Sequence, residues 1–277
     1  MKKNMIILQP RGGLCNRMRA ITAGMEMAKR KNTKCIVMWK QKAELNASFY
    51  DLFKPIKGLK VINYRSSKDI REILLQKLSN SQFNNSEIRE SMDRGNGELD
   101  IEIEKQIKLP VYIWSCEQFY HADYFFRLFQ PIDKIESKVN QLINMDTENL
   151  IGVHIRRTDQ IDSIKYSKTE NFAELMKYEI EKNPNTVFYL ATDDMSEEQY
   201  FRSLFKGRII SNENRVLSRD SSNGISDAVI DLYCLARCSK IIGSYWSSFT
   251  DVAAILGNCT KVIAGIDNLE NKSYMKK

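Results

Sequence analysis

Short apolar runs alternate with segments of helical periodicity along the chain. Such runs predict β-strands, and apolar residues that recur every three or four positions predict amphipathic helices. In the first half, the predicted strands are Met5–Gln9, Lys34–Trp39, Lys60–Asn63 and Val111–Ser115. Helices are predicted near residues 18–31, 70–78 and 132–145. Residues 80–108 are polar and weakly periodic, so the pattern assigns them neither element.

The alternation is clearer in the second half. The predicted strands are Leu150–Ile155, Val187–Ala191, Arg208–Ile210, Lys240–Gly243 and Lys261–Ala264. The predicted helices are Phe172–Lys182, Glu197–Phe205, Ile225–Ala236 and Phe249–Leu256. Short apolar strands separated by helices are typical of parallel sheets covered on both faces.

A polar gap at residues 146–149 precedes the strongest strand and marks the predicted domain boundary. We therefore expect an α/β protein with two doubly wound, Rossmann-type domains, residues 1–147 and 148–277. Two such domains facing a central cleft would bind ligands at the carboxyl ends of their strands.

Composition places the chain among ordinary globular proteins, with 43% hydrophobic and 28% charged residues in 277. No apolar run approaches the roughly 20 residues of a membrane span, and the N-terminus lacks a signal-peptide core. We expect a cytoplasmic protein. Six cysteines in a chain of this length do not indicate a disulfide framework, and with two histidines and no C-x-x-C they do not indicate zinc. We interpret them as buried free thiols.

The formal net charge of +7 favours an anionic partner. Nucleic acid, an acidic membrane surface and a nucleotide-linked substrate all meet that description. The basic residues are scattered and form no recognised nucleic-acid-binding module, so nucleic acid is the weakest of the three.

The sequence G-V-H-I-R-R-T-D at residues 152–159 carries the strongest chemical signal. A buried strand delivers His154, the adjacent Arg156 and Arg157, and Asp159 to its carboxyl end. Two guanidinium groups at that position suggest a phosphorylated ligand, because their planar donors match phosphate oxygens. The alternative is a salt bridge between structural elements.

A glycine-rich turn, P-R-G-G-L-C-N-R at residues 10–17, joins the first predicted strand to the first helix. Gly12 and Gly13 permit a tight turn and close ligand approach, and the helix N-terminus that follows favours anions. The motif matches neither a Walker A loop nor G-x-G-x-x-G, so a plain turn is equally consistent with it.

Three further groups of polar residues have two interpretations each. Asp193 and Asp194 could orient a ligand, or cap the helix that follows them. Asp231 lies beside the apolar flank of its helix, where it could be solvated or accept hydrogen bonds from a guanine edge. Ser247 and Ser248 could cap a helix or bind phosphate.

The order of these motifs resembles that of the α1,2/α1,6/protein-O-fucosyltransferase superfamily, which includes the nodulation fucosyltransferases. The similarity extends from Gly12 to about Leu256. H-I-R-R-T-D at residues 154–159 looks most like the α1,6 branch, whereas Gly12, Gly13 and Asn16 are similar to the other branches. The resemblance implies a GT-B-like fold, with an acceptor-side domain at residues 1–147 and a GDP-sugar-binding domain at 148–277.

The resemblance also implies roles for individual residues. Arg156 would hold the β-phosphate of GDP and stabilise it as a leaving group, with Arg157 supporting that site or the sugar. His154 and Asp231 would contact guanine, and the paired Asp193 and Asp194 would take part in nucleotide or sugar recognition. The remaining positions face the phosphates and the fucose: Ser247 and Ser248 from the second domain, and Gly12, Gly13 and Asn16 from the first. Members of this superfamily need no metal ion, so the resemblance implies no metal site and no cofactor.

One segment departs from the α1,6 pattern. That pattern continues past the aspartate with a lysine and, a few residues later, a glutamate proposed as the base; here Gln160 replaces the lysine. Asp162 is the nearest carboxylate and could be the general base, or it could be a solvated loop residue. Both α1,6 and α1,2 linkages therefore remain open.

The resulting hypothesis is an inverting transferase that moves L-fucose from GDP-fucose to a glycan hydroxyl. A transferase for another GDP-sugar and a non-catalytic nucleotide- or glycan-binding protein are the alternatives. The acceptor would be an oligosaccharide or a surface-polysaccharide precursor, met in the cytoplasm or at the anionic surface of the inner membrane. Nucleic acid is not an expected partner.

Overall fold

A computed structural model describes residues 4–66 and 69–267. The chain divides into two compact units. The N-terminal unit runs to Ile132 and also includes Ser218–Ser226, and the C-terminal unit comprises Asp133–Leu217 and the residues from Asp227 onward.

The N-terminal unit contains a five-stranded parallel sheet. Its strands are β1 (Met5–Pro10), β2 (Lys34–Lys40), β3 (Leu59–Tyr64), β4 (Ser81–Phe83) and β5 (Val111–Ser115). Their order in the sheet is β3-β2-β1-β5-β4. The helices are α1 (Leu14–Arg30), α2 (Ile70–Leu78), α3 (Asn85–Arg94) and α4 (Ile101–Gln106). β1 lies at the centre of the sheet, and its residues Ile6, Ile7 and Leu8 are at most 1% exposed.

The segment 80–108, to which the sequence pattern assigned no element, contains β4, α3 and α4. Both helices are specified by their caps. The side chain of Asn84 accepts hydrogen bonds from the amides of Ser86 and Glu87, and Glu87 bonds back to the amide of Asn84. Asp100 caps α4 through the amide of Ile103. Elements this short bury one or two side chains each, too few to produce a clear periodic pattern.

The C-terminal unit contains a second five-stranded parallel sheet. Its strands are β6 (Leu150–Ile155), β7 (Val187–Thr192), β8 (Ile209–Ile210), β9 (Lys240–Gly243) and β10 (Thr260–Ile263), in the order β10-β9-β6-β7-β8. The helices are α5 (Asp133–Leu142), α6 (Ile161–Tyr166), α7 (Thr169–Lys182), α8 (Met195–Leu204), α9 (Ser222–Leu235) and α10 (Ser248–Gly257). The first residues of α9, up to Ser226, group with the N-terminal unit. The predicted α/β class with two Rossmann-type sheets is confirmed.

The second sheet has a topological switch point at its centre. From β6 the chain passes outward to β7 and β8, and then returns to β9 on the other side of β6. In open α/β sheets, ligands generally bind at the carboxyl ends of the two strands on either side of such a switch point, here β6 and β9. This is where the sequence places the double arginine.

The core around β6 is closely packed. Every residue of β6 is buried. A Cβ atom added at Gly152 would lie 2.9 Å from Leu235 Cδ2 and 3.3 Å from Cys238 Sγ, so the glycine lets α9 and the turn after it approach the strand. None of the six cysteines forms a disulfide. Burial is confirmed for Cys15, Cys35, Cys234 and Cys238, whereas Cys116 and Cys259 are half-buried. Within residues 4–66 and 69–267, no helix is long and apolar enough to cross a membrane.

Two glycines of the C-terminal unit allow a test of backbone packing. Gly265 (φ +82°) and Gly207 (φ +74°) both adopt a left-handed backbone conformation. A Cβ atom added at Gly265 would lie 2.0 Å from the carbonyl oxygen of Tyr166, whereas a Cβ atom added at Gly207 would have no atom within 4 Å. Gly207→Ala should lower the free energy of unfolding by about 1–2 kcal/mol, which is the backbone term alone. Gly265→Ala should cost about 1–3 kcal/mol more, because the backbone must move. Urea denaturation measures both losses, and equal losses would contradict the packing described around Gly265.

Candidate functional site

The loops that leave β6 and β9 are joined by hydrogen bonds at the switch point. The Ser244 amide donates to the carbonyl oxygen of His154 at 3.1 Å, and the Ser244 hydroxyl donates to the same oxygen at 3.2 Å. The amide of Arg156 in turn donates to that hydroxyl at 3.0 Å. The carboxyl ends of the two strands are thereby held as a single edge on which the neighbouring side chains are oriented.

His154 is held in a fixed orientation on this edge. Its Nδ1 atom lies 2.9 Å from Thr250 Oγ1 and 3.4 Å from Ser247 Oγ, and its ring stacks on Phe249 at 4.8 Å between centroids. A Cβ at Gly243 would lie 2.2 Å from Thr250 Cγ2, so the glycine provides the space that Thr250 occupies beside the histidine. His154 itself is 8% exposed.

Arg156 is the more accessible of the two adjacent arginines. Its Nε and Nη2 donate to the two carboxylate oxygens of Asp159 at 2.7 and 2.9 Å. The Arg156 side chain is 22% exposed and that of Asp159 is 40% exposed. A pair this open to solvent typically contributes about 0–1 kcal/mol. A phosphate could therefore replace the carboxylate at small energetic cost, while the aspartate keeps the guanidinium fork oriented beforehand.

Arg157 has the opposite environment. Its guanidinium donates to Glu197 Oε1 at 2.6 Å, to Thr169 Oγ1 at 3.2 Å and to the carbonyl oxygens of Arg156 and Ser167 at 3.2 and 3.0 Å. Its side chain is 10% exposed. The two adjacent arginines therefore have separate surroundings: Arg156 pairs with the exposed Asp159, whereas Arg157 packs against α7 and α8.

The adjacent Asp193 and Asp194 also have different hydrogen-bond partners. Asp193 accepts from the amides of Arg157 and Thr158 at 2.7 and 3.3 Å, and from the Thr158 hydroxyl at 2.6 Å. It therefore fixes the loop that carries Arg156. Asp194 caps α8 by accepting from the amide and hydroxyl of Ser196 at 2.7 and 2.5 Å, and these bonds lower its pKa.

Asp231 is buried within the C-terminal unit, at 7% exposure. The Tyr189 hydroxyl donates to it at 2.7 Å, and Arg215 Nε lies 3.9 Å away. Burial raises the pKa of Asp231 to about 7, against the nearby positive charge of Arg215. Asp231, which the resemblance assigned to guanine recognition, thus contacts the side chain of Tyr189 on β7.

Arg215 is a member of this site that the sequence pattern did not reveal. Its side chain is 2% exposed, and its Nη2 lies 2.7 Å from Glu198 Oε2. It also donates to the carbonyl oxygens of Asn212 and Thr192, at 3.1 Å each, which ties the end of β7 to the loop after β8. It lies in a polar loop without periodicity, so no signal singled it out.

The β9 loop presents an exposed aromatic side chain beside buried Ser247. Trp246 is 69% exposed and has φ +54°, a backbone region that bulky residues rarely adopt. Such strain in a non-glycine residue is often found at functional sites. Ser247 is the N-cap residue of α10 and Ser248 its first residue. The sequence pattern did not single out Trp246, because neither exposure nor φ can be read from it.

Asp162 lies in the first turn of α6, with an exposed side chain. The hydroxyl of the next residue, Ser163, donates to the carbonyl oxygen of Tyr245 at 2.6 Å. This bond holds α6 against the β9 loop. The structure therefore places Asp162 on an element attached to the switch-point edge.

The predicted glycine-rich turn lies at the carboxyl end of β1 in the N-terminal unit. Gly12 has φ +75°, and a Cβ there would lie 3.0 Å from Asn16 Nδ2. Helix α1 begins directly after Gly13, four residues earlier than the apolar pattern predicted, with no side-chain cap and no acidic residue in its first turn. Gly12, Gly13 and Asn16 therefore lie in one turn between β1 and α1.

The described residues, 4–66 and 69–267, contain no group of three or more His, Cys, Asp or Glu side chains that could hold a metal ion. The cationic donors of the switch point are arginines.

Sequence comparison finds no matching family model and no matching curated protein. Comparison of structures finds the same fold in several solved proteins. NodZ α1,6-fucosyltransferase soaked with GDP-fucose superposes with a TM-score of 0.62 at 18% identity, over 92% of this chain and 93% of that one. POFUT1 in complex with GDP gives a TM-score of 0.62 at 11% identity, over 96% and 99%. A variant of Arabidopsis thaliana FUT1 in complex with GDP gives a TM-score of 0.62 at 12% identity, over 95% of this chain and 70% of that one. The fold of this chain is therefore that of these GT-B-like structures.

The pKa of Asp231 allows a test of its burial. Because its pKa is about 7 in the folded protein and near 3.9 in an unfolded chain, the folded state binds the proton more tightly. The free energy of unfolding should therefore fall as pH rises from about 4 to 7. Asp231→Asn removes this pH dependence. The free energy of unfolding of the variant, minus that of the wild type, should therefore increase by on the order of 2–4 kcal/mol between pH 4 and 8.

Urea denaturation across this pH range measures the difference. Asp194→Asn is the control: the pKa of Asp194 is lowered, so the stability that it contributes is lost only as pH falls below about 4, and this variant's difference from the wild type should stay constant between pH 4 and 8. A stability difference for Asp231→Asn that does not change with pH would contradict the burial of an ionisable carboxylate at this position.

Proposed function

We propose that this chain is an inverting glycosyltransferase that moves L-fucose from GDP-fucose to a hydroxyl group of a glycan. The observation that carries the proposal is the switch-point edge, where an accessible arginine fork, an oriented histidine and the start of α10 meet. Support comes from the fold, which is shared with structures determined with GDP or GDP-fucose.

In this proposal Arg156 binds the diphosphate and stabilises the leaving group. Breaking a sugar–diphosphate bond develops negative charge on the β-phosphate, and preorganised donors lower the energy of that charge. A bidentate guanidinium can do this without a divalent cation, so we propose a metal-independent reaction with no cofactor. Asp159 releases the guanidinium when phosphate takes its place.

His154, Ser247 and Ser248 form the rest of the nucleotide site in this proposal. Ser247 Oγ lies beside the histidine, and no side chain caps the N-terminus of α10, so its first-turn amides can donate to a phosphate. Gly12, Gly13 and Asn16 of the N-terminal domain serve the fucose and diphosphate side. The division at residues 147 and 148 into an acceptor-side and a GDP-sugar-binding domain is part of the proposal.

The buried groups act as positioning residues. Arg157 and Asp193 hold the loop of Arg156 by the hydrogen bonds described above, and Asp194 fixes the start of α8. Because Asp231 is buried against Tyr189, it serves guanine recognition by setting the position of Arg215 and the loop after β8.

Asp162 is proposed as the general base for the acceptor hydroxyl, and Trp246 as an aromatic surface on which a sugar ring stacks. α6 carries the first and the β9 loop the second, and the bond between Ser163 and Tyr245 joins them. The linkage, α1,6 or α1,2, would be set by the acceptor's orientation there. The proposed acceptors are oligosaccharides or surface-polysaccharide precursors, handled in the cytoplasm or at the inner membrane surface that the basic charge favours.

A thermal-shift experiment tests the donor. GDP and GDP-fucose should each stabilise the protein, equally with and without EDTA, by about 2.7 kcal/mol at 100 times the dissociation constant. GDP-mannose is included as an alternative donor. If no guanine nucleotide stabilises the protein, the proposal is wrong. GDP release from a different GDP-sugar would indicate another donor, and binding without turnover would indicate a non-catalytic binding protein.

Variants of Arg156 test the leaving-group role. Arg156→Ala and Arg156→Lys should both lower kcat about 100- to 1000-fold, since an ammonium cannot reproduce the bidentate fork. Arg71→Lys is the matched control, because Arg71 forms a similar exposed bidentate pair with Asp69 in the N-terminal unit. It should leave kcat unchanged. Release of GDP from GDP-fucose measures the rate, and a lysine variant with most of its activity would argue against the role.

A further inference from the structure

A basic cavity of about 130 Å³ lies within the N-terminal unit, at the carboxyl ends of β1 and β2. Four basic side chains line it, Arg11, Arg17, Lys40 and Lys42, together with the acidic Glu44 and with Gly12, so the cavity adjoins the glycine-rich turn that the proposed function places beside the donor. Lys40 already pairs with Glu72 at 3.3 Å. The other three basic groups have no carboxylate within 4.0 Å among the described residues.

Arg17 is the residue that gives the cavity its chemistry. It is 1% exposed, and its guanidinium lies 4.9 Å from the ring centre of Trp39. Nε donates to the carbonyl oxygen of Gly12 at 2.8 Å and Nη1 to that of Lys40 at 2.7 Å. Nη2 makes no hydrogen bond to any residue the structure describes. Burial lowers the pKa of Arg17 to about 10, so the group stays charged at neutral pH.

The carboxylate of Glu44, exposed at the cavity wall, attracts the charge of Arg17 from a distance and partly offsets the effect of burial on its pKa, but it does not form an ion pair with the guanidinium. A buried charge without a directly paired counter-ion is unfavourable. The two carbonyl oxygens satisfy part of the guanidinium's hydrogen-bonding capacity, but they do not neutralise it. An anion in the cavity would do so, and it would accept the remaining Nη2 donor. Arg11 and Lys42, both exposed at the cavity wall, add attraction for the same charge.

The size of the cavity limits the ligand. A cavity of about 130 Å³ is large enough for one phosphate or carboxylate group.

We propose that this cavity binds a phosphate or carboxylate group of the acceptor, so that the enzyme acts on an anionic glycan. The identification of the ligand as the acceptor rests on the proposed function; the anion site itself rests on the cavity alone. Uronic acids and sugar phosphates carry the required groups. A diphosphate of the donor could supply the same chemistry, and the experiment must separate the two sources.

Inorganic phosphate is the probe, titrated into the full chain at constant ionic strength and compared with chloride, with thermal unfolding as the readout. Phosphate should stabilise the protein both alone and saturated with GDP. Acetate tests whether a carboxylate suffices, and binding of either anion supports the site. No stabilisation by either anion would overturn the proposal, and loss of the effect in the presence of GDP would assign the cavity to the donor instead.

Variants connect the effect to the cavity. Arg17→Gln should weaken phosphate binding about 10-fold or more, as expected for losing a hydrogen bond to a charged group. Because that variant removes a buried structural contact, Lys42→Gln, at an exposed position, is the second test and should weaken binding several-fold. Lys60→Gln is the control, an exposed lysine on β3 outside the cavity, and should bind phosphate as the wild type does. Equal binding by Lys42→Gln and Lys60→Gln would overturn the proposal.

The two proposals can fail separately. If guanine nucleotides do not bind but phosphate stabilises the wild type and not the Lys42 variant, the anion site holds and the donor assignment is wrong. If GDP-fucose is turned over but neither anion binds, the donor assignment holds and the anionic acceptor is wrong.

Discussion

The candidate site depends on the hydrogen bonds that join the loops after β6 and β9. The carbonyl oxygen of His154 accepts from both the amide and the hydroxyl of Ser244, and that hydroxyl accepts from the amide of Arg156. With these bonds in place, the backbone direction at Arg156 is fixed. The side chains of the two arginines are then separated by their partners, Asp159 for Arg156 and Glu197 of α8 for Arg157. A switch point supplies the crevice, but these three bonds decide which side chains line its edge.

The C-terminal unit also contains a buried cluster of charged side chains around Glu198, Arg215 and Asp231. Glu198 accepts from Ser211 at 2.5 Å and from Arg202 at 2.9 Å, and lies 2.7 Å from Arg215. Burial opposes ionisation of Glu198, but these donors outweigh it and lower its pKa. Asp231 has fewer donors, so burial prevails and its pKa rises. Two carboxylates near one arginine therefore differ in pKa because their hydrogen bonds differ, and the arginine's charge is committed mainly to Glu198.

Much of the fold could be predicted from the sequence, because strands with continuous apolar residues and long amphipathic helices leave periodic patterns. β1, β6 and β9 lie within a residue of their predicted bounds. α3, α4 and α6 did not stand out, since short helices depend on caps and on single contacts such as that of Ser163 with Tyr245. For the site, the sequence identified the adjacent arginines, but their division into one accessible and one buried group needs the partners Asp159 and Glu197 to be known.

Arg156 and Arg17 show two ways to prepare a guanidinium for an anion. Arg156 is paired with a solvent-exposed carboxylate, so ligand binding exchanges one anion for another and the net gain depends on the geometry that phosphate achieves. Arg17 is buried against Trp39 and two carbonyl oxygens, with no carboxylate partner among the described residues. An anion arriving at Arg17 has no paired carboxylate to displace, although it meets the more distant charge of Glu44 at the cavity wall. On this reasoning the accessible, exchangeable arginine suits a group that must leave, and the buried arginine without a paired carboxylate suits a group that must stay in place while the reaction occurs.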